Sequence, residues 1–93
     1  MDGKQRLDKW LWFARVVKTR SLASKLILDG HVRVNAQRAE TPSKSVAPGD
    51  VLTIALENRI AVLRIVAIGA RRGPFSEARL LFEDLAAPVE SKA

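Results

Sequence analysis

Between Leu7 and Asn35 the apolar residues change period, and that change restricts the fold to short helices followed by a sheet. Leu7, Trp10, Leu11 and Ala14 fall at i, i+3, i+4 and i+7, the spacing of one helix face. Asp8 lies near the start of this helix, where a carboxylate meets free N–H groups and the positive end of the dipole. Val16-Val17 breaks the pattern, and a turn at Lys18-Thr19 follows. A second helix is expected from about Ser21, capped by Thr19 or Ser21. Leu22, Ala23, Leu26 and Ile27 form its apolar stripe, and Ser21, Ser24 and Lys25 point the other way. Gly30 ends it, as glycine does where the chain needs a left-handed residue. The period then becomes two: Val32 and Val34 face inward, and His31, Arg33 and Asn35 face out.

The rest of the chain reads as sheet and loop. Asn35-Ala36 has the look of a hairpin turn, with alanine a poorer second residue than glycine. The stretch 41–45 is loop or edge, and Pro48-Gly49-Asp50 is a turn. Residues 51–56 and 60–68 are apolar strands joined as a hairpin. A loop over 69–74 carries Arg71 and Arg72. Ala78, Leu81, Phe82 and Leu85 have helical spacing and predict a short final helix, with a strand through Leu80-Leu81-Phe82 as the competing reading. The fold class is α+β: two N-terminal helices packed on a small antiparallel sheet. One domain is expected over 6–85, between a flexible N-terminus (1–5) and a flexible tail (86–93).

Composition decides what such a domain does. Residues 1–44 hold ten Lys/Arg against four Asp/Glu, and residues 45–93 hold six of each, so the whole net charge of +6 sits in the helical half. An uneven basic charge on a small folded domain is the footprint of a polyanion-binding surface. There is no cysteine and one histidine, so no disulfide framework, cysteine zinc site or other cofactor is expected. The apolar stretch near Trp10 is too short for a signal segment or a membrane span. A cytoplasmic protein without membrane contact is the default. His31 has no Cys, second His or Ser partner in the pattern, and Asp8, Asp29 and Asp50 suit cap, helix-end and turn roles, so no catalytic residue is assigned. Asp8 also suits holding a neighbouring arginine.

Arg6-Leu7-Asp8-Lys9-Trp10-Leu11, Thr19-Arg20-Ser21, Ala23, Leu26-Ile27, Gly30, Val32, Val34-Asn35 and Pro48-Gly49-Asp50, in this order and spacing, resemble the S4 RNA-binding domain (the alpha-L motif) over about 6–56. Trp10-Leu11-Trp12, Lys18-Thr19-Arg20 and Arg71-Arg72 followed by Ser76-Glu77-Ala78 are similar to the small stand-alone S4 proteins related to the fifteen-kilodalton heat-shock protein. Longer members of that group carry a basic C-terminal extension. Here Glu90 lies in the corresponding region, so contacts made by such an extension are not transferred.

The resemblance implies RNA contacts on the two helices and the next strand, at Arg6, Lys9, Arg15, Lys18, Thr19, Arg20, Ser21, Lys25, Arg33 and Lys44. The residue types agree: a helix N-terminus offers N–H groups to phosphate, and arginine adds a bidentate fork. A second tier is Trp12, His31, Asn35, Arg71 and Arg72. Trp10 belongs to the core, whereas Trp12 lies on the side of Lys9, either stacking on a nucleotide or packing under the neighbouring helix. The implied partners are structured RNA (23S rRNA and tRNA) and the large ribosomal subunit. The implied role is non-enzymatic, in rescue of stalled subunits carrying peptidyl-tRNA, with a monomer as the simplest state. Two other readings compete. One is the RNA-targeting module of a pseudouridine synthase or methyltransferase. The other is a DNA-binding helix–turn–helix regulator, disfavoured because the second helix is short and offers few base-reading Asn or Gln residues.

Overall fold

The computed structural model describes residues 3–85. The element order is β1 (Gln5–Arg6), α1 (Leu7–Phe13), α2 (Arg20–Leu28), β2 (Val32–Val34), β3 (Gln37–Arg38), β4 (Ser45–Val46), β5 (Val51–Ala55), β6 (Ile60–Ile65), α3 (Phe75–Ala78), a 3₁₀ turn (Arg79–Leu81) and β7 (Phe82–Asp84). Five strands form one antiparallel sheet in the order β3-β2-β5-β6-β7, and β1 pairs with β4 separately. Helices α1 and α2 lie on the face that carries Val32, Val34, Leu52, Ile54, Ala61, Leu63 and Ile65, all buried. Trp10 is fully buried at the centre of this layer and donates its indole N–H to the Ala67 carbonyl at 3.0 Å.

Both helices end in the same way. At the end of α1, Val16 N–H reaches the Leu11 carbonyl and Arg15 N–H the Trp12 carbonyl. At the end of α2, His31 N–H reaches Leu26 and Gly30 N–H reaches Ile27. These are Schellman closures, which need a left-handed residue. Gly30 supplies it at φ +85°, and Arg15 supplies it at φ +61°. Gly30 has a second reason to be glycine: the Arg38 guanidinium lies 3.0 Å from where a Cβ would stand.

The sequence reading differs from the structure at four places. Gln5, assigned to a flexible N-terminus, is paired with Val46, and its side-chain amide exchanges two hydrogen bonds with the Gly69 backbone. Leu22, assigned to the buried stripe, is 45% exposed, because α2 meets the core along Ala23 and Ile27 and leaves Leu22 over an open groove beside Leu56. The strand expected over 60–68 ends at Ile65, since Val66 and Ala67 both give their N–H to the Leu81 carbonyl. The helical spacing near the end matches neither reading in full: α3 stops at Ala78, Leu80 and Leu81 lie in the 3₁₀ turn, and the strand begins only at Phe82, which pairs with Ile65. The tail assigned to 86–93 lies outside the described residues.

Val34 and Gln37 are register partners, so Asn35 and Ala36 form a two-residue turn with φ of +51° and +72°. That is type I′, which suits asparagine first and glycine second. The Asn35 side chain also accepts from Val51 N–H at 2.9 Å and donates to Asp50 at 3.0 Å, tying this turn to the next one. Ala36 carries a left-handed strain of about 1–2 kcal/mol. Relief of that strain exceeds the greater unfolded-state entropy of glycine, about 0.4–1 kcal/mol. Ala36→Gly is therefore expected to raise stability by about 0.5–1 kcal/mol, read as a higher urea midpoint at unchanged slope.

Candidate nucleic-acid interface

The site is organised by a carboxylate. Asp8, in the first turn of α1, is the one charged residue among the described residues that is buried, at 2% exposure. Arg6, the residue before the helix, donates to it through Nε and one Nη, each at 3.0 Å. Arg20, the first residue of α2, donates its Nε to the same carboxylate at 3.4 Å. Lys9 N–H gives a fourth bond at 2.7 Å. Thus one buried anion joins the beginnings of both helices and orients two half-exposed arginines. Burial alone would push the Asp8 carboxyl upward. The Arg6 hydrogen bond, the fields of Arg20 and Arg6, and the Lys9 N–H outweigh it and hold the carboxyl below its ordinary value. The hydrogen bond to Asp8 likewise raises the Arg6 guanidinium.

The beginning of α2 gathers hydroxyl, N–H and cationic groups. Thr19 caps it, with its hydroxyl oxygen accepting from Leu22 N–H at 3.1 Å. Arg20, exposed Ser21 and exposed Lys18 surround that end. The pairing of β1 with β4 sets Ser45 opposite Arg6, and the Lys44 carbonyl accepts from Leu7 N–H at 2.8 Å, so exposed Lys44 lies beside the Arg6 side of the cluster.

The remaining residues singled out by the sequence divide by partner. Lys9 holds its ammonium 5.8 Å from the centre of the Phe13 ring. Lys25 pairs with Asp29 one turn on, at 3.1 Å. Arg15 is exposed and gives its Nε to the Gly73 carbonyl at 2.6 Å. Arg33 projects from the outer face of the sheet, in register with Arg38 on one side and Thr53 on the other. Among the described residues, no hydrogen bond or ion pair joins Lys25 or Arg33 to Asp8, Arg6 or Arg20. Trp12 is half-buried against the core and stacks on Phe13 of its own helix with centroids 5.5 Å apart. His31 is exposed, and the Asn35 amide is spent on Asp50 and Val51. Arg71 is neutralised by Glu77, with both carboxylate oxygens at 2.8 Å. Arg72 is half-buried and donates to the Trp12 and Val17 carbonyls, which closes the end of α1.

Arg38 was not among the residues singled out, yet it is exposed, cationic and directly opposite Arg33. The signal was present: a two-residue turn at Asn35-Ala36 sets position 33 against 38. Among the described residues no group of three His, Cys, Asp or Glu side chains could hold a metal ion, and no helix is long and apolar enough to cross a membrane.

Comparison with known proteins agrees with this geometry. The S4 domain family model matches residues 5–52. Heat shock protein 15 of Escherichia coli K12 is 46% identical over 87 residues, which cover 94% of this chain and 65% of that protein. The chain thus spans a little under two thirds of that relative's length. The solved structure of Vibrio cholerae heat shock protein 15, described as trimeric, superposes with a TM-score of 0.85 at 41% identity, covering 92% of this chain and 86% of that one. The RQC P-site tRNA stabilizing factor of Bacillus subtilis 168 is 33% identical over 60 residues, covering 64% of this chain and 69% of that protein.

The lowered pKa of Asp8 sets a pH dependence. A carboxyl depressed on folding contributes stability that is complete above its unfolded pKa and lost as pH falls through the folded one. Asp8→Asn is expected to cost about 1–3 kcal/mol near neutral pH, through loss of charge-assisted bonds. The gap between wild type and variant should narrow as pH drops below about 4, the ordinary aspartate range. Denaturant unfolding from pH 7 to pH 2 measures it, and a gap that stays constant would contradict the assignment.

Proposed function

This chain belongs to the S4 domain family, with heat shock protein 15 among its relatives, and from that membership we propose that it is a non-enzymatic RNA-binding protein of the large ribosomal subunit. The observation that carries the proposal is Arg20. It opens α2, its Nε is fixed on buried Asp8, and its terminal nitrogens have no other partner among the described residues. A guanidinium fixed at one end, beside the positive end of a helix, is set to fork onto a phosphate. Arg6 is held by the same anion, and Lys18, Ser21 and Lys44 flank the pair. Structured RNA is read largely through phosphate and 2′-OH contacts, which this set of donors suits.

The relatives' names support a finer reading. One is an RQC factor named for stabilising P-site tRNA. On that reading this chain contacts 23S rRNA and tRNA in the cytoplasm and acts on stalled large subunits that carry peptidyl-tRNA. Every residue of the Asp8 cluster comes from one chain, so a monomer suffices for the site. Arg6, Lys9, Arg15, Lys18, Thr19, Arg20, Ser21, Lys25, Arg33 and Lys44 are the proposed RNA contacts, and Arg38 joins them. Arg71 and Arg72 are not included, since Glu77 and two backbone carbonyls already occupy them.

Arg20→Ala is expected to weaken binding to large subunits by about 1–3 kcal/mol, the range of a charge-assisted contact, with the fold retained. Neutralising about five phosphates predicts a log–log salt slope of about −4. Gradient sedimentation of the tagged protein in bacterial lysate tests the ribosomal part. Wild type should travel with large subunits carrying peptidyl-tRNA, and an Arg20→Glu/Lys25→Glu variant should not. Both proteins at the top of the gradient would remove the ribosomal role.

A further inference from the structure

A cavity of about 390 Å³ opens between the end of α1, strands β6 and β7, and α3. Its apolar lining is Ala14, Val16, Ala61, Leu63 and Phe82, with Phe75 beside them. Phe75 is 61% exposed and, among the described residues, stacks on no other ring. Three arginines line the same cavity: Arg15, Arg59 and Arg79. Asp84 is the one carboxylate in the lining, and it has an interaction of its own.

The charge here breaks the rule of the C-terminal half. That half is neutral overall, and Arg64 and Arg71 are each paired with a glutamate, at 2.6 and 2.8 Å. Arg59 and Arg79 form no ion pair with any carboxylate among the described residues, and both are exposed. An apolar lining, an unstacked aromatic face and three guanidinium groups complement a flat, apolar group attached to an anion. The volume falls in the range of small-ligand sites, about 300–1,000 Å³. Arg15 belongs both to this cavity and to the turn that leads into Lys18-Thr19-Arg20, which links the cavity in sequence to the start of α2.

We propose that this cavity takes one unpaired nucleotide of the RNA bound by the helix pair, with the base against Phe75 and the phosphate among Arg15, Arg59 and Arg79. The inference rests on the RNA-binding reading above and adds a single-stranded element to the RNA it recognises. Extruded bases stacking on aromatic and guanidinium planes are a common mode of RNA recognition. An acidic peptide would satisfy the arginines and leave the Phe75 face unused.

The test uses the full chain, a six-nucleotide oligoadenylate and amide NMR. The oligonucleotide should shift the amides of residues 14–16, 61–63 and 75–82. Phe75→Ala should weaken it about tenfold, the scale of one lost base–aromatic stack, without disturbing the rest of the spectrum. An Arg59→Ala/Arg79→Ala variant should also bind more weakly and with a salt slope shallower by about 0.7, the single-strand value for one phosphate. Arg20→Ala should keep the cavity shifts while losing large subunits. No shift at the cavity, or unchanged affinity in Phe75→Ala, overturns the inference. If ribosome binding still depends on Arg20 in that case, the RNA-binding reading stands without it. If ribosome binding is absent as well, both fall. Cavity shifts produced by a hexaglutamate peptide and not by oligoadenylate would make the occupant an acidic peptide and also overturn the proposal.

Discussion

A carboxylate taken out of water keeps its charge only where cations and N–H groups replace the lost hydration, and Asp8 has both. Arg6 and Arg20 come from opposite sides of the α1–α2 turn, so their common bond to Asp8 is a tertiary contact as well as an electrostatic one. The two arginines are about half exposed, which screens their attraction to Asp8. The value of the arrangement lies in position. Long cationic side chains lose side-chain entropy when they bind a ligand, and here part of that loss is already met in the fold.

Apolar packing seats both helices on the sheet, and polar contacts add to it along β1, α1 and the turn after α1. The segment after β6 fastens the helix pair at four points. Trp10 donates to Ala67, Gln5 bonds Gly69 in both directions, Arg15 donates to Gly73, and Arg72 closes the carbonyls at the end of α1. Gly69 also passes close to Phe13, where a Cβ would come within 2.8 Å of the ring. The neutral half of the chain is therefore a clamp that sets where the basic half points. Arg72 shows how a cation in a loop can be structural: it donates to the Trp12 carbonyl in the last turn of α1, at the negative end of the dipole, and to the Val17 carbonyl in the turn that follows.

Much of this was legible in the sequence, and the failures share a cause. The helix pair, Gly30 as a left-handed stop, the Asn35-Ala36 turn and the outward strand face of His31, Arg33 and Asn35 all follow from local spacing. Trp10 as core was legible in the same way, and the cap of α2 was legible as Thr19 or Ser21, of which the structure uses Thr19. Missed were contacts between residues distant in the chain. Gln5 looks frayed until Gly69 and Val46 reach it, about forty to sixty residues away. Arg15 reads as an ordinary basic residue, because nothing local says that it ends α1 where glycine is usual. Arg71 and Arg72 read as one dipeptide and have opposite fates, one on Glu77 and one on backbone carbonyls. Of the site itself, the cations were legible from their number, and Asp8 as the holder of a neighbouring arginine from its position. That it holds Arg6 and Arg20 together needed the fold.

The β2–β3 hairpin carries the clearest electrostatic conflict in the molecule. Arg33 and Arg38 are direct register partners, and like charges placed opposite each other on a sheet destabilise it. Neither has an ion pair with a carboxylate among the described residues. Arg38 recovers part of the cost by lying over Gly30, at the carbonyl end of α2, where a cation is favoured. Arg33 has no such compensation, and a glutamate at either position would relieve the repulsion without touching the core. Folding alone gives no reason for two arginines there. An external polyanion, as proposed above, would supply one, since phosphates set between the two side chains would turn the repulsion into attraction. The same logic explains why the C-terminal strands, which pair Arg64 with Glu83 across β6 and β7, present a balanced surface. Arg64 is neutralised across two strands, whereas Arg33 and Arg38 face each other without a carboxylate among the described residues, and that contrast is what the polyanion-binding proposal accounts for.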